Sequence, residues 1–86
     1  MSLAELQQLQ QARKKIVGSK QTLKAVQRGQ AKVVYIARDA EKRVTEAIVQ
    51  ICSSQDISVV EVETMRTLGR ICGIEVACAV AAVIEV

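Results

Sequence analysis

Lys20, Lys24, Arg28 and Lys32 stand four residues apart, and Gly18-Ser19 lies just before the first of them. Residues four apart share a face of a helix, so Lys20, Lys24 and Arg28 form one cationic edge. Each like-charge pair at that spacing costs on the order of a few tenths of a kcal/mol. Lys20 also falls at the positive end of the helix dipole, where a cation is disfavoured. A sequence shaped by stability alone would place Asp or Glu there. The pattern suits a helix N-terminus that meets an anion. Backbone N–H groups after Gly18 then point at the anion, and a residue without Cβ lets the ligand's own backbone come close. The chemistry these residues offer is phosphate recognition.

The wider charge distribution agrees. Residues 13 to 38 carry eight Lys or Arg and no acid, whereas the remainder carries four basic and nine acidic residues. A net charge of +3 therefore conceals one electropositive surface. Catalytic chemistry has little support. There is no histidine, no GxxxxGK[ST] or GxGxxG loop and no nucleophile elbow. Asp39 and Glu41 read as a helix-start feature. No base stands beside Cys52 or Cys72 to activate a thiol.

Half of the 86 residues are apolar, Phe and Trp are absent and Tyr35 is the one aromatic. The core must be aliphatic, and base recognition by stacking on several exposed rings is excluded. Cys52, Cys72 and Cys78 have no CxxC spacing, so they read as buried, reduced thiols rather than zinc ligands or disulfides. No cofactor or metal is expected. The first eleven residues are polar and Gln-rich, unlike a signal peptide, and the longest apolar stretch, residues 76 to 84, is too short to span a bilayer. A cytoplasmic monomer without a membrane partner is expected.

The elements that must position the cationic edge follow from periodicity. Leu3, Leu6, Leu9 and Ala12 predict a helix over residues 2 to about 15, with Ser2 and Glu5 as a capping box. Ile16-Val17 is a very short strand. Ser19 is the expected N-cap of a second helix, about 20 to 27, that stops near Gly29. Its Leu23, Ala25 and Val26 face the core. Residues 32 to 37 form a strand covered on both faces, and Arg38-Asp39-Ala40 is a turn. A third helix covers about 41 to 53, with Val44, Ala47, Ile48 and Ile51 inward. Residues 57 to 62 are a strand, 64 to 72 a short helix ended by Gly73, and 74 or 75 to 86 a last strand. Its Ala77, Cys78, Ala79, Ala81 and Ala82 imply close helix packing. The alternation predicts an α/β protein, a three-layer α/β/α sandwich on one small mixed sheet of about four strands, forming a single domain over residues 1 to 86.

Two stretches carry a resemblance. "VGSKQTLKAVQRGQAKVVYIARDA" and "TLGRICGIEVACAVAAVIEV" resemble the kink-turn RNA-binding ribosomal protein superfamily of the L-seven-Ae and L-thirty-e type. The similarity runs from about Arg13 to Val86 and is strongest to the short bacterial L-seven-Ae-like proteins. Its motifs are G-x-[NK]-[EQ]-x-x-K-A from Gly18 and L-G-x-x-x-G-I from Leu68. The Lys20-Gln21 pair matches the L-thirty-e form, where L-seven-Ae proteins mostly carry Asn-Glu.

The resemblance implies a partner, namely structured RNA containing a kink-turn with sheared G·A pairs beside a bulge. That RNA would be ribosomal or regulatory, and the chain a ribosomal or ribosome-associated protein. Gly18, Ser19 and Thr22 would lie against the RNA, Lys20 and Gln21 would reach guanine edges, Lys24 would serve the same groove, and Arg28 and Arg38 would meet nearby phosphates. The loop Val62-Glu63-Thr64-Met65-Arg66 would cover the bulged nucleotides, with Glu63 an acid close to RNA. Leu68 and Gly69 read as structural, one anchoring a helix and the other permitting close packing. Two other functions fit the same composition: a protein-interaction scaffold of this fold, or a small phosphate-handling enzyme, which lacks any catalytic constellation.

Overall fold

The computed structural model describes residues 3–85. Ser2, the Leu3 side chain and Val86 lie outside the described residues, so the capping box falls outside them too. Four helices alternate with four strands: α1 (Leu3–Gln11), β1 (Lys14–Val17), α2 (Ser19–Gln27), β2 (Val33–Ala37), α3 (Lys42–Ser54), β3 (Ser58–Val62), α4 (Met65–Ile71) and β4 (Val80–Glu85). The sheet order is β1-β4-β2-β3. β2 and β3 are parallel, while β4 runs antiparallel to both β1 and β2. The mixed sheet with helices on both faces is the expected architecture.

Alternation along β2 sends its side chains to two cores. Tyr35 and Ala37 join Leu9 of α1, Leu68 of α4, and Val60 and Val62 of β3. Val34 and Ile36 join Ala25 and Val26 of α2 and Ile48 and Cys52 of α3. Thus α1 and α4 cover one face, and α2 and α3 the other. β2 is buried along nearly its whole length, as a strand clad on both sides must be. Both cores are aliphatic but for Tyr35 and the cysteines. Cys52, Cys72 and Cys78 are buried free thiols. The Cys72 thiol donates to the Cys78 sulfur, and that bond with burial pushes Cys72 well up in pKa. Cys78 also donates to the Val80 carbonyl at 3.0 Å.

α1 is shorter than the periodicity predicts. Lys14 and Lys15 leave the helix and pair in β1 with Glu85 and Val83. Strand pairing overrides the helical propensity of two lysines. Nine residues make a marginal helix on their own, so docking must hold α1. Leu9 is fully buried, which is worth roughly 1.5–3 kcal/mol. The Tyr35 hydroxyl donates to the Glu5 carbonyl at 2.7 Å, adding about 1 kcal/mol. Burial, with the nearby Glu5 charge, raises the Tyr35 pKa and keeps that donor protonated. Lys15 Nζ folds back to Leu9 O and Gln10 O, at 3.3 and 3.2 Å, and caps the helix end.

The last strand also begins later than expected. Residues 74 to 79 lie against α4 before the chain enters the sheet. Gly73 turns the chain at φ 80, Ile74 N donates to Gly69 O, and Cys78 N donates to Met65 O, both at 3.0 Å. Val76 and Ala77 are therefore exposed rather than in a strand. A Cβ on Gly69 would collide with the Val76 backbone carbonyl, so this glycine lets the segment lie on the helix. In α3, Ile48 is buried with Thr45 and Cys52, whereas Ala47 is exposed and Val44 and Ile51 are half-buried. The inward face is centred one residue away from the expected stripe. In α2, Val26 and Ala25 are buried as expected and Leu23 is half-buried. Thr22 is fully buried, and its hydroxyl has no hydrogen-bond partner among the described residues.

Two stability predictions follow from these contacts. Gly69→Ala forces α4 and the Val76 carbonyl apart and should cost about 1–3 kcal/mol, read as a lower urea midpoint. Thr22→Val removes an unsatisfied buried hydroxyl at nearly constant shape and should stabilise by about 1 kcal/mol, read as a higher midpoint in the same titration. A lower midpoint would show that the hydroxyl is bonded.

Candidate functional site

β1, β2 and β3 all point the same way, and β4 runs against them. The turns leaving the first three strands, and the entry to β4, therefore gather at one end of the sheet. Short bonds tie them together. Gly18 N donates to Val80 O at 2.8 Å, Ala37 N to Ala79 O at 2.9 Å, and Arg38 N to Val62 O at 2.8 Å. Asp39 Oδ1 accepts from Met65 N at 2.8 Å, so the turn after β2 caps α4. Thr64 completes that cap by accepting from Thr67 N at 3.0 Å. Asp39 is thus a helix-start residue, but of α4 rather than of the helix that follows it.

α2 starts differently. Gly18, not Ser19, is its N-cap, and no side chain caps it. Gly18 sits at φ 105, ψ 147, close to a region that only glycine occupies without strain. Ser19 is already the first helical residue. A Cβ at Gly18 would meet nothing within 4 Å, so the surface before the helix is open. The first-turn amides and the positive dipole end face outward with no acid in that turn. This is an anion-binding geometry.

The predicted residues divide into two sets. Gly18, Ser19, Lys20, Gln21, Lys24 and Arg28 line the outer side of α2 or its ends. Gly18 and Ser19 are half-buried and the other four are exposed. Glu63 and Arg66 are exposed at the neighbouring turn after β3, with Thr64 and Met65 half-buried. Met65 packs against the core on the α1 and α4 side. Arg38 is exposed and pairs with Glu61 at 3.3 Å. The side chains of Thr22 and Val62 do not reach this surface. Both are fully buried, because Thr22 shares the inward face of α2 with Ala25 and Val26, and Val62 follows Val60 on the inward side of β3.

The cationic edge is also split. Each four-residue step advances about 40° around a helix. Lys20 and Leu23 consequently lie toward α3, beside Val44 and Ile48. Gln21, Lys24 and Arg28 turn the other way and line a groove toward β1, with Lys14, Gln30 and Lys32. Lys14 and Gln30 carry no motif of their own. The signal for Lys14 was its place in the acid-free run.

Of the eight cations in that run, three have structural partners. Lys15 caps α1, Arg13 pairs with Glu85 at 3.9 Å, and Arg38 pairs with Glu61. Among the described residues, Lys14, Lys20, Lys24, Arg28 and Lys32 have no acidic partner. No helix is long and apolar enough to cross a membrane, again among the described residues.

Known proteins are similar to this chain in sequence and shape. The "RNA-binding protein" of Caldanaerobacter subterraneus subsp. tengcongensis is 49% identical over 69 residues, 80% of this chain and 84% of that one. "RNA-binding protein YbxF" of Geobacillus stearothermophilus is 33% identical over 75 residues, 87% of this chain and 92% of the relative. Among solved structures, the Giardia lamblia 15.5kD RNA binding protein superposes with a TM-score of 0.86 at 28% identity. The match covers 98% of this chain and 73% of the other. The family described as Ribosomal protein L7Ae/L30e/S12e/Gadd45 matches residues 2–86. Matched over residues 2–86 in sequence and superposed on an RNA-binding protein of similar shape, the chain belongs to the family described as Ribosomal protein L7Ae/L30e/S12e/Gadd45.

Proposed function

We propose that this protein is a non-enzymatic RNA-binding protein that recognises kink-turn RNA through the N-terminus of α2. One observation carries the reading: the α2 N-terminus is uncapped, acid-free and open at Gly18, at the same end of the sheet as the turn after β3. Relatives bearing the name RNA-binding protein support the partner class. An ordinary A-form major groove is too deep and narrow for side chains, so a kinked and widened groove is required. Guanine presents O6 and N7 acceptors there. Lys20 has only donors to offer, and the Gln21 amide can both donate and accept. The RNA backbone passes close to Gly18, and its phosphates meet the first-turn amides of α2 and the ammonium of Lys24. Glu63, Thr64 and Arg66 border the bulged nucleotides. The cellular RNA in this reading is ribosomal or regulatory, and the role ribosomal or ribosome-associated.

The test is a titration of a kink-turn RNA at near-physiological salt, against the same RNA with its G·A pairs replaced by Watson–Crick pairs. Each well-made base contact is worth about 1–3 kcal/mol of discrimination, so a preference of at least about tenfold is expected. Equal binding would reduce the surface to a general phosphate patch, and absence of binding to either RNA would favour a protein-interaction scaffold. Lys24→Ala should weaken binding of the kinked RNA several-fold without moving the urea midpoint, because Lys24 is exposed and touches no acid. Full binding by that variant would remove Lys24 from the site.

A further inference from the structure

The groove between α2 and β1 extends past the kink-recognition residues. It encloses about 440 Å³ and starts at Gln21, within a turn of the open helix end. It continues to Arg28 and Lys32 beyond the helix C-terminus, with Lys14 on its far wall. Nine helical residues span about 13 Å, so the groove leads from the sheet end that carries the site toward the opposite end, where β1 and β2 begin. Four cations line it and no carboxylate does. Glu85, across the sheet from Lys14, is engaged by Arg13. Between the cations and the Gln21 and Gln30 amides the lining is Ile16, Ala25 and Ile84, small or aliphatic side chains that offer a base no polar group.

We propose that this groove tracks the phosphate backbone of the duplex stem adjoining the kink, with Lys14 and Lys32 as contacts outside the recognised motif. The inference rests on the kinked-RNA reading. The ligand must be polyanionic and long, because the cations line a track rather than converge on a point. It is a duplex, since single-strand binding uses exposed aromatic platforms and Tyr35 is buried. Lysine suits the task, acting as a point charge toward phosphate without demanding bidentate geometry. Both lysines are exposed, so their replacement leaves the fold intact.

The experiment compares the full chain with its Lys14→Gln/Lys32→Gln variant on two kinked RNAs, one with a long flanking duplex and one trimmed back to the kink, over a range of salt. On the long RNA the variant should bind roughly tenfold more weakly at low salt, and its log–log salt slope should be shallower by about 2. On the trimmed RNA the two proteins should bind alike, and both should keep their preference over the Watson–Crick control. An unchanged slope and affinity on the long RNA would overturn the groove assignment while leaving kink recognition standing. Equal losses on both RNAs would overturn the stem assignment and place the two lysines at the kink. Failure of the unmodified protein to prefer kinked RNA would overturn the functional reading, and the stem assignment with it.

Discussion

The last strand occupies the middle of the sheet. β4 inserts between β1 and β2, and among the described residues it is the one strand with which β1 pairs. The rest of the molecule depends on this. Without β4, β1 has no ladder, the turn at Gly18 has no acceptor in Val80, and α2 loses the strand that leads into it. The bond from Gly18 N to Val80 O, at 2.8 Å, joins residues far apart in the chain. It fixes the start of the cationic helix against the entry to β4. Such long-range pairing must overcome loop-closure entropy before it gives any return. Burial supplies that return: Val80, Ala81, Ala82 and Val83 are all fully buried. Their small and β-branched side chains let helices approach from both faces.

The same constraint separates structural cations from available ones. Lys15 is used to close α1, and the exposed pairs of Arg13 and Arg38 are worth little to stability. The five remaining cations of the acid-free run, Lys14, Lys20, Lys24, Arg28 and Lys32, stand around α2 and the groove beside it. Their mutual repulsion is small in water and is screened over about 8 Å at physiological salt. It becomes important when a polyanion approaches, because then every charge acts with the same sign. The uncapped start of α2 belongs to the same arrangement. α4, which carries Arg66 and Arg70 but no acid, is capped twice, by Thr64 and by Asp39. α2 is given no side-chain cap at all. α3, which starts at the same sheet end, also has no side-chain cap, but its N-cap position is held by an acid, Glu41; α2 has neither a side-chain cap nor an acid at its start.

Much of this was legible in the residues. The β-branched run at Val33–Ala37 specified a strand buried on both faces, Gly73 ended α4, and the acid-free run around α2 marked the charged surface. The differences share one cause. Lys14 and Lys15 have ordinary helix propensity, and only pairing with Val83 and Glu85 makes them a strand. Residues 74 to 79 have strand-like composition, but α4 and the Gly69 contact hold them out of the sheet. Ser19 has the chemistry of an N-cap, yet Gly18 takes that place because its backbone lies where other residues are strained. Thr22 and Val62 stand inside stretches that match a binding motif, but their side chains fall on inward positions.

The sequence by itself determined the class of fold, the aliphatic core and the local excess of positive charge, because hydrophobic period and charge are properties of neighbouring residues. Tertiary structure alone decided which cations are free. It sent Lys20 toward α3 and turned Lys24 and Arg28 toward β1, since a helix with 3.6 residues per turn does not keep residues four apart in line. It also brought Lys14 and Lys32, from two different strand ends, to the walls of one groove. That placement follows from β4 entering between β1 and β2, a pairing between the two ends of the chain that no local pattern records.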